Sequence, residues 1–326
     1  MEVQPEYNLM CNDCNNLKSE LGESVKRNYT DALLLSGGLD SSILASIVNP
    51  KSTWTIAFRK NAMDLNFADA VAKKYSKKHT AVVISNNELF NIIKEIIKIF
   101  KTFDPIEIRN SSVMYAGLSK AREEGISTIM TGDGGDELFA GYNYLKRYFV
   151  DNRTLKTELE RLWDIMHFSS STIGRKLRID IKTPFLDKKF MDYAKSVDIV
   201  KLKGEYMNVS WGKFILRKCY EHELGAEIVW RSKLPQEEGS GIINLREVLI
   251  KKIKDSSYKY NATKALAEGV LIRDKEQLYY YSIFRKYFSP PKEEECSSAR
   301  CPKCNCCFTW KGRFCRTCGA FPVVPQ

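Results

Sequence analysis

Leu33-Leu-Leu-Ser-Gly-Gly-Leu-Asp-Ser-Ser42 decides how this chain is read. Three leucines after Asp31-Ala32 predict a short buried strand. Ser36-Gly37-Gly38 breaks that pattern, and the apolar run from Ile43 to Val48 predicts a helix. A strand, a tight glycine turn and a helix N-terminus leave backbone N–H groups aimed at one point, where the helix dipole also favours an anion. Glycines let the main chain approach that anion closely. The turn lacks the lysine of a Walker A loop. Asp40 is out of place in a pure anion site, and makes sense if it holds a divalent cation that bridges to phosphates. Read without that ligand, the stretch is a plain strand–turn–helix with incidental glycines.

Outward from this turn the pattern alternates. Strands are expected at 31–35, 54–58, 80–84 and 127–131, with helices over 66–78, 87–101 and 111–124. Strands separated by helices of this length pair in parallel through right-handed crossovers, and such a sheet binds ligands at the carboxyl ends of its strands. The expected fold class is therefore α/β, with a doubly wound, mostly parallel sheet. A second glycine turn, Thr131-Gly132-Asp133-Gly134-Gly135-Asp136-Glu137, follows the strand at 127–131. Its crowded carboxylates call for a cation or strong donors among them. An acidic loop capping a helix, with Asp136 as N-cap and Glu137 on the dipole, is the competing reading. Helices are expected over 187–196, 210–224, 245–254 and 275–288, and a loop followed by a short helix over 255–273.

Ser36-Gly37-Gly38-Leu39-Asp40-Ser41 resembles the SGGxDS loop of the PP-loop (N-type) ATP pyrophosphatases, enzymes of HUP-like fold that cleave ATP between its α- and β-phosphates. The second turn, continued through Leu138-Phe139-Ala140-Gly141-Tyr142, is similar to the second signature of the asparagine synthetases. Asp104 to Tyr115, Pro184 to Phe190, Phe214 to Cys219 and Trp230 to Lys233 resemble further segments of that synthetase domain, so the likeness runs over about residues 31–245. β-Lactam synthetases share the scaffold. The resemblance implies an ATP- and Mg²⁺-dependent ligase that adenylates a carboxylate and passes it to ammonia or an amine. It implies that Ser36, Gly37, Gly38 and Ser41 cradle phosphate, that Ala57, Thr131 and Gly132 line the nucleotide, and that Asp40 and Asp136 hold Mg²⁺. Lys233 would stabilise the α-phosphate and the leaving pyrophosphate, Arg109 and Asp187 would frame the acceptor, and Asp133 would position or deprotonate the amine. The sequence has no N-terminal Met-Cys and no room for a glutaminase domain, so free ammonium, a separate glutaminase or a different nucleophile is expected. The acceptor is expected to be a small-molecule or macromolecular carboxylate.

The 326 residues are 44% hydrophobic and 28% charged, the balance of a globular protein, with no apolar run of spanning length and no signal pattern. A cytoplasmic location is expected. Of ten cysteines, eight sit in or beside C-x-x-C pairs at the chain ends, which is metal-site spacing. Cys301, Cys304, Cys315 and Cys318 predict a Zn²⁺ ribbon whose stability comes from the metal. Cys11 and Cys14 have no second local pair, and a second zinc drawing on them and on two of Cys296, Cys306 and Cys307 would tie the termini together; unligated thiols on a flexible arm are the alternative. Cys219 reads as a buried small hydrophobe. The expected divisions are an arm over 1–30, the ATPase domain over 31–288, a linker over 289–295 and the ribbon over 296–326. A net charge of +11 permits nucleic acid without requiring it. The tail has five Lys/Arg and no Asp or Glu, with Phe308, Trp310 and Phe314 interleaved, a pattern compatible with RNA or with a docking ribbon. Two rivals follow: a tRNA-modifying PP-loop enzyme that adenylates a base, and a non-enzymatic zinc scaffold. The single mid-chain cysteine counts against sulfur transfer, and the retained polar residues of both turns count against decay.

Overall fold

The computed structural model describes residues 4–308 and 313–323. The chain forms two compact units with interleaved segments. The first comprises residues 1–55, 63–82 and 120–234, and the second residues 56–62, 83–119 and 235–326. These divisions differ from the expected ones: the N-terminal segment belongs to the first unit, and the cysteine-rich tail belongs to the second.

A five-stranded sheet of order β3-β2-β1-β4-β5, all but the last residues of β2 and β3 in the first unit, is formed by Ala32–Leu34 (β1), Ser52–Ala57 (β2), Lys78–Val83 (β3), Thr128–Met130 (β4) and Asp180–Lys182 (β5). β1 pairs in parallel with β2 and β4, and β4 with β5. The α/β class expected from the alternating pattern is therefore the class observed. β5 escaped the sequence reading because it is only three residues long and two of them are charged.

The N-terminal segment is not an arm but a helix, α1 (Gln4–Arg27), with Leu17, Leu21 and Val25 fully buried. These three lie on one stripe and dock the helix, although it is polar on average and its period is weak. Leu39–Val48 (α2) follows the first glycine turn and Met63–Tyr75 (α3) follows β2. Asn86–Phe100 (α4) starts at a capping box, in which Ser85 Oγ accepts from Glu88 N–H and the Glu88 carboxylate accepts from Ser85 N–H. Pro105–Glu123 is α5. The short α6 (Gly135–Leu138) is followed by Asn152–Ile165 (α7), Ser169–Leu177 (α8), Lys188–Ser196 (α9) and Phe214–Leu224 (α10). The first unit's core gathers Leu17, Leu21, Leu33, Ile43, Phe139 and Phe190 around the sheet.

Two further differences matter. The helix expected over 210–224 starts only at Phe214, because an antiparallel hairpin of Lys203–Tyr206 (β6) and Val209–Gly212 (β7) precedes it. Lys213 falls at the junction. The segment expected to open as a loop after residue 254 is instead a helix, Asp255–Ala267. In the second unit Phe103 meets Tyr281 and Phe284 edge-to-face at 5.0 and 5.3 Å, so the aromatic helix Lys275–Phe284 is core.

Candidate adenylation site

The site grows from the carboxyl ends of two adjacent strands. After β1, Gly38 stands at the N-cap of α2 with extended backbone and no side-chain cap. The first N–H groups of α2 are thus left for another acceptor. Ser36 Oγ accepts from Gly38 N–H at 3.2 Å and lies 3.1 Å from Ser41 Oγ, while Ser42 Oγ donates to Gly38 O at 2.8 Å. The hydroxyls brace the turn from within. Arg231 braces it from outside: Nη1 donates to Gly37 O at 3.0 Å, Nη2 meets Asp64 at 2.6 Å, and the guanidinium stacks 4.0 Å over the Phe67 ring.

The second turn, after β4, comes up against the first. A Cβ on Gly135 would lie 2.4 Å from the Asp40 carboxyl carbon, so only glycine lets the two turns close. A Cβ on Gly141 would fall 2.2 Å from both Asp136 Oδ1 and Lys213 Cε. In the space these glycines leave, Asp40 and Asp136 face one ammonium. Lys213 Nζ is 2.5 Å from Asp40 Oδ2 and 2.7 Å from Asp136 Oδ1, and Lys233 Nζ is 2.6 Å from Asp136 Oδ2. The Lys213 side chain is almost fully buried. Burial works to raise the Asp136 carboxyl, but Lys213 and Lys233 overcome it and hold this group well below the usual carboxylate range. Asp40 is raised, by burial and by the neighbouring charge of Asp136, against the pull of Lys213. Asp40 Oδ1 is buried with no hydrogen-bond partner among the described residues, and Asp136 Oδ1 faces Lys213 without hydrogen-bond alignment.

Around this pair, buried Asp133 accepts from Thr131 Oγ1 at 2.9 Å and from the Ser170 hydroxyl, and burial raises its carboxyl despite both donors. Burial also pushes Glu137 up to about 7, although Tyr142 OH donates to it at 2.5 Å. Arg217, on α10, donates Nε to Gly212 O at 3.0 Å and Nη1 to Val229 O. Its burial lowers the guanidinium to about 10.

Ser36, Gly37, Gly38, Asp40, Ser41, Thr131, Gly132, Asp133, Asp136 and Lys233 all belong to the first unit; Ala57 and Arg109 belong to the second. Arg109 does not present an open fork: Nε meets Glu237 at 2.8 Å and Nη1 meets Glu276 at 2.6 Å, in a buried network completed by Tyr280 OH on Glu276. Asp187 is engaged within the first unit. It caps α9 by accepting from Phe190 N–H at 3.3 Å and pairs with Arg27 of α1 at 2.5 Å. Lys213, Arg217 and Arg231 were missed by sequence reasoning. The expected helix from 210 hid the first, whose backbone lies in the left-handed region at φ 54° and ψ 30°. The Gly-Lys pair at its start was the available signal.

The tail presents a separate centre. Cys301, Cys304, Cys315 and Cys318 are buried, with their sulfurs within 4.8 Å of one another. Cys301 and Cys318 sulfurs are 3.8 Å apart and Cys304 and Cys315 sulfurs 3.7 Å. A tetrahedron with Zn–S bonds of about 2.3 Å has edges of about 3.8 Å. The second zinc is not formed as expected: Cys14 pairs with Cys219 in the first unit, and Cys296 pairs with Cys307 in the second. The Cys11 side chain lies outside the described residues. Cys219 is accordingly buried but not a free thiol. Cys306 Sγ stands 3.3 Å from Cys315 Sγ, beside the tetrad rather than in a second one. Phe308 is buried and Arg300 donates to the carbonyls of Asn305 and Glu294 at 2.7 Å, so neither is arranged to meet bases; Trp310 and Lys311 lie outside the described residues.

A parallel sheet with two acidic glycine turns at neighbouring strand ends, each opening a helix whose N-cap glycine supplies no side-chain cap, is the arrangement in which parallel sheets hold anionic ligands. The asparagine synthase family pattern matches residues 16–178 and 171–300, and the chain belongs to that family. Similar proteins include asparagine synthetase B [glutamine-hydrolyzing] of Escherichia coli strain K12, 29% identical over 87% of this chain and 55% of that protein. Asparagine synthetase [glutamine-hydrolyzing] 2 of rice (Oryza sativa subsp. japonica) is 29% identical over 81% of this chain and 49% of its own length. The maize (Zea mays) enzyme is 27% identical over 83% and 50%. The chain spans about half the length of the curated relatives it matches. No helix among the described residues is long and apolar enough to cross a membrane.

Proposed function

We propose that this chain is an ATP-dependent amide-forming ligase that adenylates a carboxylate, with aspartate the acceptor the family relation favours, and passes the acyl group to ammonia or an amine. The observation that carries this reading is the convergence of Asp40 and Asp136 on one buried ammonium, beside an uncapped helix N-terminus. The orphaned Asp40 Oδ1 and the hard oxygen donors of both carboxylates fit Mg²⁺. When bound there, Mg²⁺ would neutralise charge on the phosphate oxygens.

The chain's own residues do the rest. The N–H groups at the start of α2 and the hydroxyls of Ser36 and Ser41 receive phosphate oxygens, and Thr131 and Gly132 line the nucleotide. An acceptor carboxylate oxygen attacks the α-phosphorus, the bond from that phosphorus to the β-phosphate bridge breaks, and pyrophosphate leaves. Lys233 is the point charge set against the growing charge on the α- and β-phosphates. The amine nitrogen then attacks the acyl carbon, AMP leaves and the nitrogen sheds a proton. Asp133, kept basic by burial, is the group suited to position the amine or take that proton. Lys213 neutralises the two carboxylates when no divalent cation does so. The tail cysteines bind one Zn²⁺ as a structural centre.

Pyrophosphate release from Mg–ATP with aspartate plus ammonium, compared with release with tRNA, tests the reading. Stimulation by the first pair supports it, and stimulation by tRNA alone contradicts it.

A further inference from the structure

We propose that the four-cysteine centre is a zinc clamp that fixes the corner between α4 and α5, and so positions the Asp104–Tyr115 segment. The acceptor role of that segment rests on the function proposed above; the clamp itself does not.

The second cysteine knuckle is bound to the corner by its own main chain. Phe103 N–H donates to Thr317 O at 2.8 Å, and Thr102 Oγ1 donates to Arg316 O at 2.7 Å. Both acceptors lie between Cys315 and Cys318. Asp104 is buried directly after these contacts and starts α5, its carboxylate accepting from Ile106 N–H at 3.2 Å. Gly319 closes over that carboxylate: a Cβ there would fall 2.1 Å from Asp104 Oδ1.

The same knuckle holds a second element. Cys318 O accepts from Gln277 Nε2 at 2.8 Å and from Arg273 Nη2 at 3.1 Å. Gln277 neighbours Glu276, which pairs with Arg109 of α5. One knuckle therefore holds both sides of the buried Arg109–Glu276 pair, at the start of α5 and at the start of helix Lys275–Phe284. The first knuckle is anchored separately, by Leu271 N–H on Lys303 O at 2.8 Å and Asn305 Nδ2 on Gly269 O at 2.7 Å. A knuckle this short has no core of its own, so the metal must hold its carbonyls in place. A ribbon kept for an outside partner would leave these carbonyls to solvent.

The test is hydrogen–deuterium exchange on the full chain, zinc-loaded and after chelation, with the Thr102→Val protein alongside. Zinc loading is expected at one ion per chain. Chelation should raise exchange at Phe103 and across the first turn of α5 at least tenfold, with a smaller change in helix Asp255–Ala267. Thr102→Val should keep its zinc and still show faster exchange at Phe103, and the acceptor KM should rise while the ATP KM holds. Absence of zinc overturns the proposal. So does exchange at Phe103–Glu107 unchanged on chelation, or raised equally through the whole second unit. Exchange and metal content are read without turnover, so a chain that fails to release pyrophosphate contradicts the proposed function and leaves the clamp standing or falling on its own result.

Discussion

Lys213 Nζ lies 2.5 Å from Asp40 Oδ2, and the lysine reaches that place from a left-handed backbone at the start of α10. Such a conformation costs a non-glycine residue about 1 kcal/mol or more and persists where the surroundings demand it. The demand here is electrostatic. Two buried carboxylates on abutting turns repel each other, and the ammonium stands between them.

Replacing this ammonium by a neutral chain of similar length should therefore be severe. Lys213→Met leaves Asp40 and Asp136 facing each other, and breaking a buried pair from one side costs about 3–5 kcal/mol. The melting temperature without divalent cation should fall by on the order of 10 °C. Added Mg²⁺ should recover more of that loss in the variant than it adds to the parent. Equal Mg²⁺ shifts in the two proteins, read by differential scanning calorimetry, would show that Lys213 and the cation do not share the carboxylates.

Lys233 should matter in the transition state. Its Nζ contacts Asp136 at 2.6 Å and is more open than Lys213. Lys233→Ala is expected to lower kcat for pyrophosphate release by about 10²–10³, the cost of losing one preorganised charge partner, with a smaller change in the ATP KM. Undiminished kcat in a stopped assay of pyrophosphate would remove this lysine from the chemistry.

Glu137 gives the first unit a pH dependence. Its carboxyl has an ordinary value of 4.5 and is pushed up to about 7 by burial. The folded protein thus binds a proton that the unfolded chain has released, and this contribution is full below about 4.5 and lost as the pH rises through about 7. The span corresponds to about 3 kcal/mol. Urea unfolding of Glu137→Gln should show a flatter stability profile between these pH values than the parent. Parallel profiles would contradict the assignment.

Asp187 should behave as a helix cap and tether. Asp187→Ala removes the N-cap of α9, worth about 1 kcal/mol, together with the contact to Arg27. The expected outcome is a lower melting temperature with the acceptor KM unchanged. A raised acceptor KM at unchanged stability would restore Asp187 to the acceptor site.

Much of the architecture was legible because its signals are local. The leucine run before Ser36 and the apolar strand before Gly132 mark buried parallel strands, and the glycines after each mark the turns that meet. Asp40 and Asp136 were readable as partners because both follow such strands. What the sequence concealed depends on contacts made far along the chain. Lys213 is recruited from a junction between a hairpin and α10, and no local pattern announces a lysine whose charge is needed by residues of two distant turns. The same holds for α1, which is ordered by the burial of Leu17, Leu21 and Val25 and by the Cys14–Cys219 pair more than by its own propensity. Arg109 looked free for a carboxylate because its partners Glu237 and Glu276 lie far downstream. The tetrad Cys301, Cys304, Cys315 and Cys318 was visible from spacing, whereas the pairing of Cys14 with Cys219 joins positions that only the packing of α1 on α10 brings together.

The most direct test of the proposed adenylation is to follow oxygen. Aspartate labelled with ¹⁸O in its side-chain carboxylate is supplied with Mg–ATP and ammonium, and the nucleotide product is analysed by mass spectrometry. Attack of the carboxylate on the α-phosphorus predicts AMP that carries the label, formed together with pyrophosphate and asparagine. Unlabelled AMP, or ADP with inorganic phosphate, would contradict it.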